Sequence, residues 1–437
     1  MEMKRRYCAA SARGLYMLWA GVLCVPTAVS FAQTSTGRPQ PRERVVVIDS
    51  VHVIDVAAKQ VIANQRIVVR GEHIVSVQPA GGALPDTVDE RVSAAGAYAI
   101  PGLVDHHVHL SPGMSSALAR AAKGGVTLVQ AMAGDNRTAG EYARMVIAKQ
   151  LAGPEIAYAS VMAGPGFFAD PRFRNAGLGF APGMAPWAKA VTDTTNVVLA
   201  VAAARGSGAE VLKLYAMMDS ALVAKLTREA HAQGMRVVAH GTVFPARPLQ
   251  LVGAGVDILT HAPYLSWQGA ASVRADDAWN RAKGPYEAVP VNAPPITAVV
   301  EAMKNAGTFL EPTLFVFSRQ TAETEMNTWA ASLTAQAFSN GVPILAGTDG
   351  LIDGDSSALP NVHRELQLLV AAGLPPADAL ASATIIPARA MGRSRSHGVL
   401  AAGYMADMVL LNGNPLLDIS ATTRIRTVLL RGRVLPP

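Results

Sequence analysis

Short β-branched runs separated by turn residues fill the stretch Arg44 to Ala99 (VVVIDSVHVID, RIVVRGEHIVSVQ), which is the alternation of strands and hairpins. A similar pattern closes the chain, from ADMVLLNGN to RIRTVLLRGRVL. Two β-segments flanking a long middle predict one small β-sandwich built from both ends of the chain, over residues 33–100 and 393–437. Residues 101–392 alternate short apolar runs with longer Ala-rich amphipathic stretches, the strand-then-helix rhythm of a parallel sheet. The candidate strands are Gly102 to Val108, Val126 to Met132, Ile156 to Val161, Val211 to Tyr215, Arg236 to His240, Asp257 to His261, Thr308 to Glu311 and Pro343 to Gly347. Eight strands in about 290 residues predict an α/β architecture, a closed (β/α)8 TIM barrel. A helix is predicted from Ser220 to Gln233, stopped by Gly234. The connections Gly164 to Ala190, Pro263 to Pro295 and Pro312 to Thr334 are long for a compact fold and are expected to form substrate walls.

The first 32 residues change the picture. Lys4, Arg5, Arg6 and Arg13 make a basic start, Leu15 to Phe31 is mostly apolar, and Ser30-Phe31-Ala32 offers small residues for cleavage. A secretory signal cleaved after Ala32 is expected, followed by a polar linker from Thr34 to Arg42. The other reading, an N-terminal membrane anchor, meets a short apolar run interrupted by Pro26. Export to the periplasm or medium follows, with no stable membrane span after cleavage. Both cysteines, Cys8 and Cys24, lie in this leader, so a metal in the mature chain must sit on His, carboxylates or a modified side chain. Cleavage removes four basic residues and one acid, leaving about +3 of the formal +6, too little to indicate nucleic-acid binding.

The strongest local motif is Pro101-Gly102-Leu103-Val104-Asp105-His106-His107-Val108-His109. On a regular strand His107 and His109 face one way, with Asp105, while His106 faces the other and points away from any shared metal. Such a pair can share one divalent cation, and a chance pair of core histidines is the competing reading. Lys213, His240, His261 and Asp349 each sit at or just past the C-terminal end of another candidate strand, where barrel enzymes assemble their sites. Lys213 could also simply cap or form a salt bridge, and Asp349 could be a turn aspartate.

These residues, with the segments around them, resemble the metal-dependent amidohydrolase superfamily, in its imidazolonepropionase-like and prolidase-like (Xaa-Pro dipeptidase-like) branch. The resemblance runs from Val51 to Leu435 through PGLVDHHVHL, AEVLKLY, EAHAQGMRVVAHG, AGVDILTHAP, VPILAGTDG, HRELQLLVAAGL, GYMADMVLLNGNPLLDI and VLLRGRVL. It implies two zinc ions per chain: His107, His109 and Asp349 on the more buried one, and His240 and His261 on the more exposed one. It also implies that Lys213 bridges them, which an ammonium cannot do, so a carboxylated Lys213 is expected, spanning ions roughly 3.5 to 4 Å apart. Borderline ligands of this kind suit zinc, though manganese, cobalt or iron could take the same positions.

The implied reaction is hydrolysis of a peptide-like or N-acyl amide by a hydroxide shared between the metals, with Asp349 as base and then acid. Tyr215, two residues beyond Lys213, could hydrogen-bond the oxyanion or a substrate carboxylate, or simply pack. Arg172 and Arg174 could meet an anionic substrate end. Opening of a cyclic amide is the alternative, then lactone or phosphoester hydrolysis, and outside enzymes a catalytically dead barrel scaffold. Deamination is disfavoured, because GTVFPARP follows His240 with no acid. A small molecule or short peptide is the expected partner, and a homo-oligomer is left open. The sequence departs from many relatives at Val129-Gln130-Ala131-Met132, where an Arg-Asp pair is common, and at Ala216-Met217-Met218-Asp219, often glycine-rich. Both segments are expected near the pocket.

Overall fold

In the computed structural model the described residues are 42–173, 175–273, 284–319, 324–354 and 358–436. The leader over residues 1–32, with Cys8 and Cys24, lies outside them, as does Arg174. Residues from Glu43 onward form one compact unit.

The β-rich domain from the two ends of the chain is one continuous eight-stranded sheet. Val45–Asp55 lies at its centre, antiparallel to Gln60–Arg70 and parallel to Tyr98–Pro101. The ends are joined where Met408–Leu411 runs antiparallel to Tyr98–Pro101, with Val409 opposite Ile100. Alternate side chains of these strands, among them Val46, Ile48, Ile67, Val69, Met408 and Leu410, pack into one small core.

The middle of the chain is a TIM barrel. Leu103–His109, Val126–Ala133, Glu155–Ala163, Val211–Leu214, Arg236–His240, Ile258–Thr260 and Phe309–Glu311 pair in parallel, in chain order. Their continuous apolar runs suit strands covered on both faces. The eighth segment, predicted as a strand from Pro343 to Gly347, is only a bridge at Ile344, yet it closes the ring. Leu310 N donates to Pro343 O (3.0 Å), Leu345 N to Leu310 O (2.8 Å), and His106 N to Ala346 O (3.0 Å), so the segment touches both the seventh strand and the first. The helix predicted after the fourth strand spans Ser220–Ala232, started by Asp219 accepting from Leu222 N. Gly234, at φ 77°, takes the chain out of it. No helix among the described residues is long and apolar enough to cross a membrane.

Period-two geometry fixes where the chemistry lies. Val211, Val238, Ile258, Phe309 and Leu345 pack together inside the barrel. The residues two further along, Lys213, His240, Thr260, Glu311 and Gly347, therefore form the next layer inward, at the C-terminal rim.

Candidate metal centre and the cavity above it

His107, His109 and Asp349 each bring one donor atom to within 4.8 Å of the others. His109 Nε2 lies 2.8 Å from Asp349 Oδ1 and His107 Nε2 3.6 Å from it. The remaining imidazoles continue the cluster: the His261 ring is 5.0 Å from that of His107, and the His240 ring 4.7 Å from that of His261. Lys213 is fully buried and donates through Nζ to Thr260 Oγ1 at 2.8 Å. Tyr215 stacks on His240 at 4.8 Å, with Lys213 Nζ 5.7 Å from its ring. The structure thus brings His107, His109, Lys213, Tyr215, His240, His261 and Asp349 to one rim. The side chain of Arg172 lies outside the described residues, as Arg174 does.

In each of the four imidazoles Nδ1 already has a partner. Glu311 Oε2 binds that of His107 at 2.6 Å, Ala133 O that of His109 at 3.4 Å, Thr242 Oγ1 that of His240 at 2.7 Å, and Thr313 Oγ1 that of His261 at 2.8 Å. Such partners fix ring orientation and tautomer in metal-binding histidines. His107 Nε2 is buried with no hydrogen-bond partner, as expected of an atom meant for a cation.

Electrostatics favour neutral rings at His107 and His261, whereas at His109 burial is outweighed by the Asp349 hydrogen bond and charge, which hold that ring above the ordinary histidine range. Burial, then the positive Lys213, holds His107 well below the ordinary histidine range, and burial with His240 does the same for His261. Neutral imidazole is the form that binds metal. Burial pushes the Lys213 amine down to about 8 against the pull of Glu311 and Asp349. Burial opposes ionisation of Asp349, but the hydrogen bond and charge of His109 hold its carboxyl below the usual range. Burial carries Asp105 up to about 8, although it accepts from Thr348 Oγ1 (2.6 Å) and Thr348 N (3.0 Å). Imidazoles held in place through Nδ1, a carboxylate and an orphaned buried nitrogen together fit a divalent cation.

Backbone strain concentrates here. His261 (φ 70°), Thr313 (φ 51°) and Asp349 (φ 56°) all occupy the left-handed region, which a β-branched threonine rarely enters.

Glu311 is the main residue that sequence reasoning missed. Fully buried, it also accepts from His106 Nδ1 at 2.6 Å, so adjacent histidines share one carboxylate. The expectation that His106 turns to the opposite face from His107 fails because the pairing of the first strand shifts register between Asp105 and Val108, breaking strict alternation. Its signal was available: Phe309-Leu310-Glu311 puts an acid at the strand position that singled out Lys213 and His240. Thr242, Thr260 and Thr313 carried no comparable signal.

A cavity of about 620 Å3 opens above the cluster, lined by His109, Tyr215, His240, His261 and Asp349 on its floor. All three long connections reach it, through Phe173 and Leu178, Tyr264, and Val316 and Phe317. The last connection is largely helical, with Leu314–Ser318 and then Thr324–Ser339. Gln130 lines a different pocket, with Arg205, Glu210 and Arg236 at the opposite ends of the strands. Ala133 and Asp135 reach the main cavity in its place, because Val126–Ala133 runs on past Gln130 toward that rim.

The model of the amidohydrolase family matches residues 98–435. The chain belongs to the amidohydrolase family. Family members are metal-dependent, and among the described residues His107, His109 and Asp349 form a group that could hold an ion. Imidazolonepropionase from Chromobacterium violaceum is 35% identical over 116 residues, which is 26% of this chain and 26% of that protein, so the chain spans about a quarter of that relative's length in the match. Among solved structures, a Xaa-Pro dipeptidase with bound methionine in its active site superposes with a TM-score of 0.71 at 20% identity, over 90% of this chain and 100% of that one. Ochratoxinase from A. niger gives 0.68 at 21% identity, over 90% and 96%. At these identities the likeness is one of fold.

Proposed function

We propose that the protein is an exported metal-dependent hydrolase of a peptide-like or N-acyl amide C–N bond, working with two zinc ions bridged by a carboxylated Lys213. The observation that carries this reading is the convergence of His107, His109, Asp349, His261, His240 and Lys213 beneath one cavity in a chain of the amidohydrolase family.

His107, His109 and Asp349 would hold one ion and His240 and His261 the other. When bound, zinc would supply Lewis acidity, enough to bring the pKa of a water down to about 7. Lys213, as a neutral amine, adds carbon dioxide at Nζ and releases a proton, and the resulting anion has two oxygens in place of a cation that would repel metal. Thr260 Oγ1, 2.8 Å from Nζ, is positioned to hold the group in place. Asp349, ionised beside His109, takes the proton of the attacking water and delivers it to the departing amine. Tyr215, stacked on His240, would donate to the oxyanion.

The test is turnover of N-acyl amino acids and dipeptides, including Xaa-Pro forms, by the zinc-loaded mature protein, with metal analysis alongside. About two zincs per chain are expected, and Asp349→Asn should keep its fold and lose at least about a thousandfold in rate. Near-normal turnover by that variant removes Asp349 from the mechanism, and a chain that takes up no metal favours a scaffold. Export is checked by N-terminal sequencing of the protein recovered outside the cytoplasm, with the mature chain starting at Gln33. A second reading, opening of a cyclic amide, is favoured by the 35% identity to an imidazolonepropionase and belongs in the same screen.

A further inference from the structure

The cavity walls hold information about the substrate that the metal cluster does not. Aromatic and aliphatic surface starts directly beside the imidazoles. The Phe317 ring stands 5.9 Å from that of His261 and 5.5 Å from that of Tyr264. On the other flank Phe173 is 5.6 Å from Tyr215, which stacks on His240. Leu178 and Val316 extend the two walls. The connection carrying Phe173 and Leu178 also leaves Leu178, Phe180 and Met184 exposed at 57%, 45% and 56%.

Charge points the same way. Two acids, Asp135 and Asp349, line the cavity; the side chains of Arg172 and Arg174, beside Phe173, lie outside the described residues. The nearby guanidinium of Arg137 is already committed: Nη2 meets Asp135 Oδ2 at 2.5 Å and Leu178 O at 2.8 Å, and the group lies 5.0 Å from the Trp187 ring. Asp135 already neutralises it, so a substrate carboxylate there would meet a guanidinium paired with another carboxylate. A cavity of about 620 Å3 is also large for a dipeptide and falls in the middle of the ~300–1,000 Å3 typical of organic ligand sites.

Resting on the hydrolase reading above, we infer that the scissile amide carries a bulky uncharged aryl or alkyl group, seated against Phe173 and Leu178 or Val316 and Phe317, in preference to the charged carboxylate of a Xaa-Pro dipeptide. The experiment uses the mature metal-loaded enzyme and alanine amide acylated with acetyl, butyryl, octanoyl or phenylacetyl groups. A mirrored set carries the apolar group on the amine side, and Gly-Pro and Met-Pro complete the panel. The expected result is a rise in kcat/KM of at least about a hundredfold from acetyl to the best apolar acyl or amine, since each methylene in an apolar pocket is worth about tenfold or more. Phe317→Ala or Phe173→Ala should shrink that ratio at least tenfold. Faster turnover of dipeptides, abolished by Arg137→Ala, overturns the inference while leaving the hydrolase reading intact. If no amide is cut, the hydrolase reading fails and calorimetry decides the pocket. Phenylacetyl-alanine amide binding at least tenfold tighter than its acetyl analogue supports it, and equal affinities overturn it.

Discussion

Replacing Glu311 isolates what the buried carboxylate does for the metal centre. Both oxygens are engaged at 2.6 Å, one by His106 and one by His107, and no part of the group reaches solvent. In Glu311→Gln the amide oxygen can still accept from one ring, but its NH2 faces the other, and that ring must then accept. If His107 were forced to accept at Nδ1, its proton would move to Nε2 and block the donor atom aimed into the cluster. The less damaging arrangement keeps the oxygen on His107 and lets His106 change tautomer, so the charge is lost but the geometry survives. Partners of this kind are worth about 10- to 100-fold in metal affinity, or roughly 1.4 to 2.7 kcal/mol. The expected order is therefore wild type, then Glu311→Gln weaker by about tenfold, then Glu311→Leu, which leaves both Nδ1–H groups without an acceptor, weaker by about a hundredfold. Competition against a chromophoric chelator measures this directly, with circular dichroism confirming that each variant folds. Wild-type metal affinity in the leucine variant would refute the reasoning.

Gly347→Ala should disturb the same clamp from the other side, because a Cβ there meets Glu311 Oε1 and His107 Cβ at 2.7 Å each. A stability loss of about 1–3 kcal/mol and weaker metal binding are expected, read by urea unfolding and chelator competition. Glu365 is fully buried and accepts from Leu314 N at 3.0 Å and Phe315 N at 2.6 Å, just past the Thr313 that holds His261. Glu365→Ala should cost about 2 kcal/mol or more in denaturant unfolding, and Glu365→Gln should recover only part of it, since its single amide oxygen can accept from one of the two N–H groups. Burial lowers His363 to about 4, with Nε2 on Gly124 O. The unfolded chain therefore protonates this ring first, so its contribution is complete above about pH 6.5 and is lost as pH falls to 4, by about 3 kcal/mol. His363→Gln should flatten the drop in stability between pH 7 and 4.5, and parallel curves for variant and wild type would count against it.

The barrel was legible because its strands are buried on both faces and end in residues that have no business in an apolar core. Lys213, His240 and His261 stand out for that reason, and the terminal sheet is readable from its alternation. The eighth segment shows the limit. PILAG has the composition of a strand, but it closes the ring through a few backbone hydrogen bonds rather than a full ladder, a tertiary outcome that local pattern does not encode. His106 shows another, since strict alternation assigns it outward while a shift in pairing brings it to Glu311. The threonines holding His240, His261 and Lys213 could not be read at all, because a hydroxyl becomes a support only once folding places it.

The pairing of Val409 with Ile100 has a consequence for how the molecule comes together. A loop of roughly 300 residues must close before the strand that leads into the histidine motif gains its second neighbour. Until the last turns of polypeptide arrive, Tyr98–Pro101 presents a bare edge open to other chains. Deletions that reach Met408 should then produce aggregation rather than a smaller working enzyme, even though every proposed ligand lies upstream of the cut.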